Sequence, residues 1–544
     1  MVRAMLLPPA GQAHSPGLIH VLDLLERHCL APDTSLILNS IYEDLLLARE
    51  EMAKERLRYF EAMKRQRLPP GPRPWPIIGN LHQLGKLPHH SLTKMAETYG
   101  PIVSFWLGSK LVVMVASPDS AREVLKTQDQ IFASRPHTSN GVIRGYNRQN
   151  MIWAPYGPAW RFLRKVCQLE LFTAKRIMQF QHIRKEEVMN LVQALLDAGR
   201  AGRLVEVDEK VTEMSANNMT RMIFNKVYFG SNCPSTELGK SKEEVQKTFR
   251  EFFRAAGAIP IGDIIPFLAK LDLGKEVAKM WKLRRKLEAF FRNIIKEHRQ
   301  RREANPVAAD EDFVDVLLSL EEDNSGNKMT DEIIMGVLGD MLLAGTDTSA
   351  DQVMWTLTEL MRHPEIRSKL QQEIDQVVGQ HRAVEESDLP QLKYLEAVVK
   401  ESLRLHPVVP LLLPHENLVK TKVFGYDIPA QTRVYLNVYA IQRDPQVWEN
   451  PLTFKPERFL KKENKDFRGH DFEFLPFGSG RRACPGMNLG LIMMHLTVAQ
   501  MLHACEFSLP PGMTPEQVSV EETFVLTAVR AHPLQLLVAP RLAH

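Results

Sequence analysis

The longest helical pattern in the chain runs from Thr330 to Arg362, opened by an N-cap-like Thr330 with Asp331 and Glu332 in its first turn. At 1.5 Å per residue it predicts a helix of roughly 50 Å, far longer than average, and its apolar composition sends it through a core. Its middle breaks the pattern. Ala344-Gly345-Thr346-Asp347-Thr348-Ser349 is small and polar where a core helix should be apolar. Residues 489–502 predict a second apolar helix, with Pro485 as its first helical residue, and 395–405 a third. Strand signals are fewer. Residues 102–107 and 111–115, flanking Gly108-Ser109-Lys110, read as a hairpin, and short strands are predicted near 423–426, 433–438 and 535–538. The expected fold is mainly α with small β-sheets at its edges, an α+β arrangement.

The first 67 residues differ. Apolar stretches at 18–25 and 36–38 are broken by Asp23, Glu26 and Asn39, well short of the ~18 apolar residues that a membrane span needs. Leu18, Val21, Leu22, Leu25 and Cys29 instead share one helical face. Residues 48–67 form a charged helical stretch ending in Lys64-Arg65-Gln66-Arg67, read as a solvated helix or as a peripheral membrane contact. Leu68-Pro69-Pro70-Gly71-Pro72-Arg73-Pro74-Trp75-Pro76 cannot be helical and reads as a stiff hinge or a proline-module ligand. The expected organisation is an amphipathic extension over 1–67 with no spanning helix, a hinge over 68–76, and one large domain over 77–544.

Composition narrows the classes. A net charge of +4 over 544 residues is too slight for nucleic-acid binding. Five scattered cysteines (Cys29, Cys167, Cys233, Cys484, Cys505) make no disulfide framework and fit a reducing compartment.

One of these cysteines stands apart, in Phe477-Gly478-Ser479-Gly480-Arg481-Arg482-Ala483-Cys484-Pro485-Gly486. The glycines allow close backbone approach to a flat macrocycle, and Phe477 can pack beside the sulfur. The following helix favours a thiolate at Cys484 through its positive end, and Arg482 can pair with a carboxylate. A thiolate so held suits the axial position of a haem iron. The plainer alternative is a glycine turn before a helix, with a buried structural cysteine.

The ten residues, Gly486 included, match the Phe-x-x-Gly-x-Arg-x-Cys-x-Gly signature of the cytochrome P-450 monooxygenases. The chain resembles that family from about Leu68 to its C-terminus, with motif wording closest to land-plant members. The resemblance implies the cytochrome P-450 fold, with haem b (iron protoporphyrin IX) between the long helix and the loop of Cys484, the iron ligand. Residues 344–349 then resemble the oxygen-activation motif, with Asp347 and Thr348 managing protons; alone, they could be a helix kink with self-satisfied hydroxyls. Glu401 and Arg404, by spacing an ordinary surface pair, resemble the Glu-x-x-Arg motif, with Arg458 as third member of a buried structural network. Trp160 and Arg164 share a helix face, by spacing a packing or cation–π pair, and resemble residues that donate to a haem propionate. Arg482 joins them, and His415 and Arg135 are further candidates for which a surface role stands equally open.

Segments 137–153, 336–344, 408–413 and 524–527 are expected to form an apolar substrate pocket. The implied activity inserts one atom of dioxygen into a lipophilic small molecule such as a phenylpropanoid, flavonoid, terpenoid or fatty acid. Electrons would come from NADPH through a flavoprotein reductase, the NADPH–cytochrome P-450 reductase, with cytochrome b5 as a further donor. The implied location is the cytoplasmic face of the endoplasmic reticulum membrane. A haem-thiolate isomerase or dehydratase acting on a peroxide, and a non-catalytic haem-binding protein, are the alternatives.

Overall fold

The computed structural model describes residues 67–230, 236–237, 240–272, 274–304, 312–320, 328–461 and 465–542. The expectations for segment 1–66, and those for Cys29 and Cys233, lie outside these residues. Two compact units emerge, each assembled from separated stretches of chain.

The first unit takes the chain up to Asn140 together with Ala258–Trp281 and Leu411–Ile441. Its sheet runs in the order Ile102–Leu107, Lys110–Val115, Arg433–Leu436, His415–Glu416. The first two strands form the expected hairpin, and Lys110–Val115 pairs in parallel with Arg433–Leu436. Val103, Phe105, Val112, Val113, Met114 and Val115 are all essentially buried, so strands covered on both faces read as continuous apolar runs. The proline segment lies along the sheet: Ser104 N donates to Pro70 O at 2.9 Å and Ser104 Oγ to Pro69 O at 2.6 Å.

Two strand expectations need correction here. Around 423–426 the chain makes a turn, joining strands Thr421–Val423 and Tyr426–Ile428. The strand expected over 433–438 ends at Leu436, because Asn437 Oδ1 accepts from Ala440 N at 3.1 Å and so caps a short helix, Val438–Ile441.

The second unit, Gly141–Gly257, Lys282–Pro410 and Gln442–His544, is the helical one. Its principal helices are α1 (Pro158–Val166), α2 (Gln181–Arg200), α3 (Val207–Phe224), α4 (Asp331–Arg362), α5 (Lys393–Leu405) and α6 (Met487–Ala504). Thr330 Oγ1 accepts from Ile333 N at 3.4 Å, so α4 starts with the cap its sequence proposes. Among the described residues α4 is long and apolar enough to cross a membrane. Its burial within the protein gives the simpler reason, since a helix apolar on most sides is a core helix.

Helix α6 begins at Met487 with Gly486 at its cap, so Pro485 is not its first residue. The rigid Pro485 falls instead in the turn that joins Cys484 to the helix. A three-stranded sheet, Cys505–Ser508, Gln535–Pro540 and Val205–Glu206, and a hairpin, Glu522–Phe524 with Ala528–Arg530, complete the unit.

Candidate active site

The candidate site of the second unit is built outward from the cysteine loop. Gly478 and Gly480 both take φ of 68°, a region costly for other residues, and the loop closes on itself through Cys484 N to Phe477 O at 2.9 Å. The Cys484 side chain is accessible, although the surrounding protein pushes its thiol above the usual range. A backbone hydrogen bond at Gly486 and the charge of Arg164 act in the opposite direction. A metal ion would add a far larger charge and hold the sulfur as thiolate.

Helix α4 passes close by. A Cβ built on Gly490 of α6 would lie 3.9 Å from Ser349 Oγ on α4 and 4.0 Å from the Phe477 ring. On α4, Ala344 is exposed, and Thr348, four residues on, shares its face. Thr348 Oγ1 donates to Ala344 O at 2.5 Å, while the helix continues unbroken through this segment. Helix α3 crosses against Gly345, where a Cβ would come within 2.6 Å of Met219 Sδ. An accessible thiol, an exposed small residue on a core helix and a glycine-hinged loop make a cradle suited to a flat haem with an axial thiolate.

Trp160, Arg164 and Arg482 converge here. Arg164 Nη1 donates to Ala483 O at 2.6 Å, next to Cys484. Arg482 donates to Met151 O at 3.2 Å and Ala154 O at 2.5 Å, and its guanidinium stands 4.2 Å from the centre of the Trp160 ring. Trp160 Nε1 donates to Met151 O at 3.2 Å. Trp160 and Arg482 hold the 151–154 backbone and Arg164 the carbonyl before Cys484, so pairing with a haem carboxylate means exchanging a carbonyl for an anionic acceptor. Arg135 and His415 lie in the first unit. Arg135 donates to Leu413 O and Pro414 O, both at 2.9 Å, and burial pulls it down to about 9, still charged at neutrality. His415 is buried, with Nδ1 2.9 Å from Phe132 O. Neither is a surface residue.

Glu401 and Arg404 on α5 have fully buried side chains and meet in a two-pronged pair of 2.7 and 2.8 Å. Arg458 Nε reaches Glu401 at 3.0 Å, and Lys455 N donates to the same oxygen at 2.8 Å. Arg404 also donates to Gln442 O and Pro451 O at 2.8 and 2.7 Å. Spacing alone suggests a surface pair; burial makes it a core network. Gln442, absent from the sequence reading, extends it. Its amide donates to Leu403 O and Arg404 O at 3.0 Å, and its Oε1 accepts from Leu475 N at 2.9 Å, two residues before Phe477.

Asp347 is half-buried, and desolvation pushes its carboxyl up to about 7. Asp351, one turn further along α4, is pushed well above the ordinary range by burial first, then by the charges of Asp347 and Asp208. Such a pair retains a proton near neutrality, with Asp347 next to Thr348 in the chain and Asp351 about one turn beyond it. The i, i+4 spacing from Asp347 was the available signal for Asp351. Because the folded-state value of Asp347 lies above its unfolded one, the folded protein holds the extra proton between about pH 4 and pH 7, and the contribution of Asp347 to stability falls as pH rises through that window. Asp347→Asn is expected to flatten this slope, read as the unfolding temperature across those pH values.

Of the apolar segments, turn 524–527 is tied to the central helix. Trp355 Nε1 on α4 donates to Ala528 O at 3.0 Å, and Ala528 N to Val408 O at 2.8 Å. Phe524 and Leu526 are left half-buried.

A sequence profile described as Cytochrome P450 matches residues 69–535. The flavonoid 3'-monooxygenase of Petunia hybrida is 44% identical over 481 residues, covering 87% of this chain and 92% of that protein. Cytochrome P450 98A1 of Sorghum bicolor is 39% identical over 515 residues (94% and 97%). The flavonoid 3',5'-hydroxylase of Solanum melongena is 38% identical over 482 residues (88% and 92%). With a profile match over most of its length and relatives similar almost end to end, the chain belongs to the cytochrome P450 family.

Proposed function

We propose that this haem-thiolate monooxygenase hydroxylates a flavonoid or a related phenylpropanoid, with Cys484 as the iron ligand. The observation that carries the reading is the accessible Cys484 thiol on its glycine-hinged loop, whose Phe477 meets Gly490 of α6 on the side where Ser349 of α4 also approaches it. Its substrate class rests on the similarity to flavonoid 3'-monooxygenases and on the half-buried apolar side chains of turn 524–527.

When bound, haem b supplies iron at which dioxygen is activated with two electrons and two protons, one oxygen atom entering the substrate and the other leaving as water. Cys484 would hold the iron through its thiolate and supply electron density to it. Trp160, Arg164 and Arg482 would hold the carboxylates of the group, a role proposed also for Arg135 and His415. Asp347 has a proton to give at neutral pH, and Asp351 beside it can replace that proton; Thr348 positions the acceptor side with its hydroxyl. The Glu401–Arg404–Arg458 network, carried on by Gln442, fixes the backbone that leads into the cysteine loop.

A monooxygenase of this kind requires a redox partner, substrate and oxygen. The partner we assign is the NADPH–cytochrome P-450 reductase, with cytochrome b5 as a second donor, at the cytoplasmic face of the endoplasmic reticulum membrane. The test reconstitutes the haem-loaded chain with NADPH and reductase and offers flavonoids and simpler phenylpropanoids. The expected result is a hydroxylated product and, on reduction under carbon monoxide, the red-shifted band of thiolate-ligated haem. Turnover of a peroxide without reductase, with no hydroxylation across the panel, would favour the isomerase reading instead.

A further inference from the structure

Turn 524–527 is held at its base from two directions. In the hairpin that carries it, Phe524 pairs with Ala528, so whatever fixes Ala528 also places Phe524. The carbonyl of Ala528 accepts from Trp355 Nε1 on α4 at 3.0 Å, and its amide donates to Val408 O at 2.8 Å. The tip has as little room: a Cβ on Gly257 would fall 2.4 Å from the backbone carbon of Val525.

One residue stands behind both bonds at the base. His406 follows directly on α5 and precedes Val408 by two positions. Its ring lies flat on the Trp355 indole, with centres 4.2 Å apart and planes within 1° of each other. Its Nε2 stands 2.7 Å from Glu359 Oε1. Trp355 and Glu359 are four apart on α4, so they share a face, and His406 bridges them. Burial acts to raise the Glu359 carboxyl, but its bonds to His363 and His406 hold it down at about 2. A carboxylate only accepts, so His406 Nε2 carries the hydrogen of this contact, and the bond fixes how the imidazole lies against the indole.

His406 is buried, and its Nδ1 has no hydrogen-bond partner among the described residues. A buried acceptor left in that state costs about 1–3 kcal/mol, which a phenylalanine at this place would avoid. Stability alone therefore does not account for a histidine here. A flat face for Trp355 combined with a directed bond to Glu359 does.

We infer that His406, oriented by Glu359, is a positioning residue for turn 524–527: by clamping Trp355 it sets where Phe524 and Leu526 meet the substrate, and so which carbon is hydroxylated. The inference rests on the substrate reading proposed above and names the residue that places this part of the pocket.

Two aromatic exchanges each remove one directed bond and keep a ring in the stack. His406→Phe loses the donor to Glu359, and Trp355→Phe the donor to Ala528. Hydrogen exchange of the peptide that contains Ala528 is measured first, on the haem-loaded proteins without substrate. It should be faster in both variants than in the parent, with the carbon monoxide band unchanged. With a flavonoid, NADPH and reductase, KM should rise about fivefold, the weight of one ordinary hydrogen bond, while kcat changes less and the ratio of hydroxylated positions shifts. The double variant should add little to either single one, because both act through Ala528. Parent-like exchange or an unchanged product ratio in His406→Phe overturns the inference, as do effects of the two changes that simply multiply. Loss of the haem band in His406→Phe also overturns it, since His406 would then serve folding. A parent that hydroxylates no flavonoid overturns the substrate reading alone, and the exchange measurement still decides the role of His406.

Discussion

Cys484→Ala is expected to abolish hydroxylation and the red-shifted carbon monoxide band while leaving the polypeptide folded. The backbone amide of residue 484 donates to Phe477 O, and alanine keeps that bond. Gly478 and Gly480 still supply the positive φ values, and α6 still begins at Met487. What disappears is the soft, anionic donor. Among the described residues no other thiol replaces it: Cys167 and Cys505, also in the second unit, are both buried, each with a thiol pushed up to about 12. Turnover should fall to background, and circular dichroism of the variant should match the parent. A variant that keeps the band would remove Cys484 from the iron and with it the proposed chemistry.

Arg404→Ala is expected to destabilise the protein by about 3–5 kcal/mol, the usual consequence of stranding one partner of a buried ion pair. Glu401 would keep Arg458 and Lys455 N but lose both bonds from Arg404, with its carboxylate at 0% exposure. The carbonyls of Gln442 and Pro451 would lose their donor at the same time. Against a typical total of about 5–15 kcal/mol, such a loss leaves little folded, haem-competent protein. Arg404→Lys keeps the charge but cannot reproduce the fork, so it should recover only part of the stability. Chemical denaturation of the three proteins gives the ranking. Equal midpoints for parent and Arg404→Ala would show that the network bears no such weight.

Much of this was legible in the chain because it is written locally. The cap at Thr330 and the apolar run behind it defined α4 almost to the residue. Strand Ile102–Leu107 followed from β-branched and aromatic residues bounded by turn formers. The loop 477–486 carried its chemistry in adjacent positions, and Thr348 reaches Ala344 O because helical spacing puts it there. Where the reading failed, a competing local choice won. Asn437 capped a helix inside an expected strand, and Phe424 occupied a turn whose usual residues are asparagine and glycine.

Other features had no local trace. Gln442 joins Arg404 O to Leu475 N across 38 and 33 positions of sequence. Trp355 anchors the turn near Ala528 from 173 residues away. Asp351 looks in sequence like any polar residue on a helix, and only the neighbouring Asp347 and Asp208 in a desolvated setting raise its carboxyl.

By itself, then, the sequence determined the candidate reactive groups and the elements that carry them: the cysteine loop, the acid–alcohol pair, the long helix and the ion-pair spacing. Tertiary structure decided what each group is. It turned Glu401 and Arg404 from an ordinary helix pair into a buried network, gave Asp347 a proton at neutral pH, and engaged Trp160 and Arg482 with the 151–154 backbone. The reason is physical. Spacing along a chain fixes which side chains can share a face, whereas desolvation, charge coupling and exposure depend on what distant segments bring against that face.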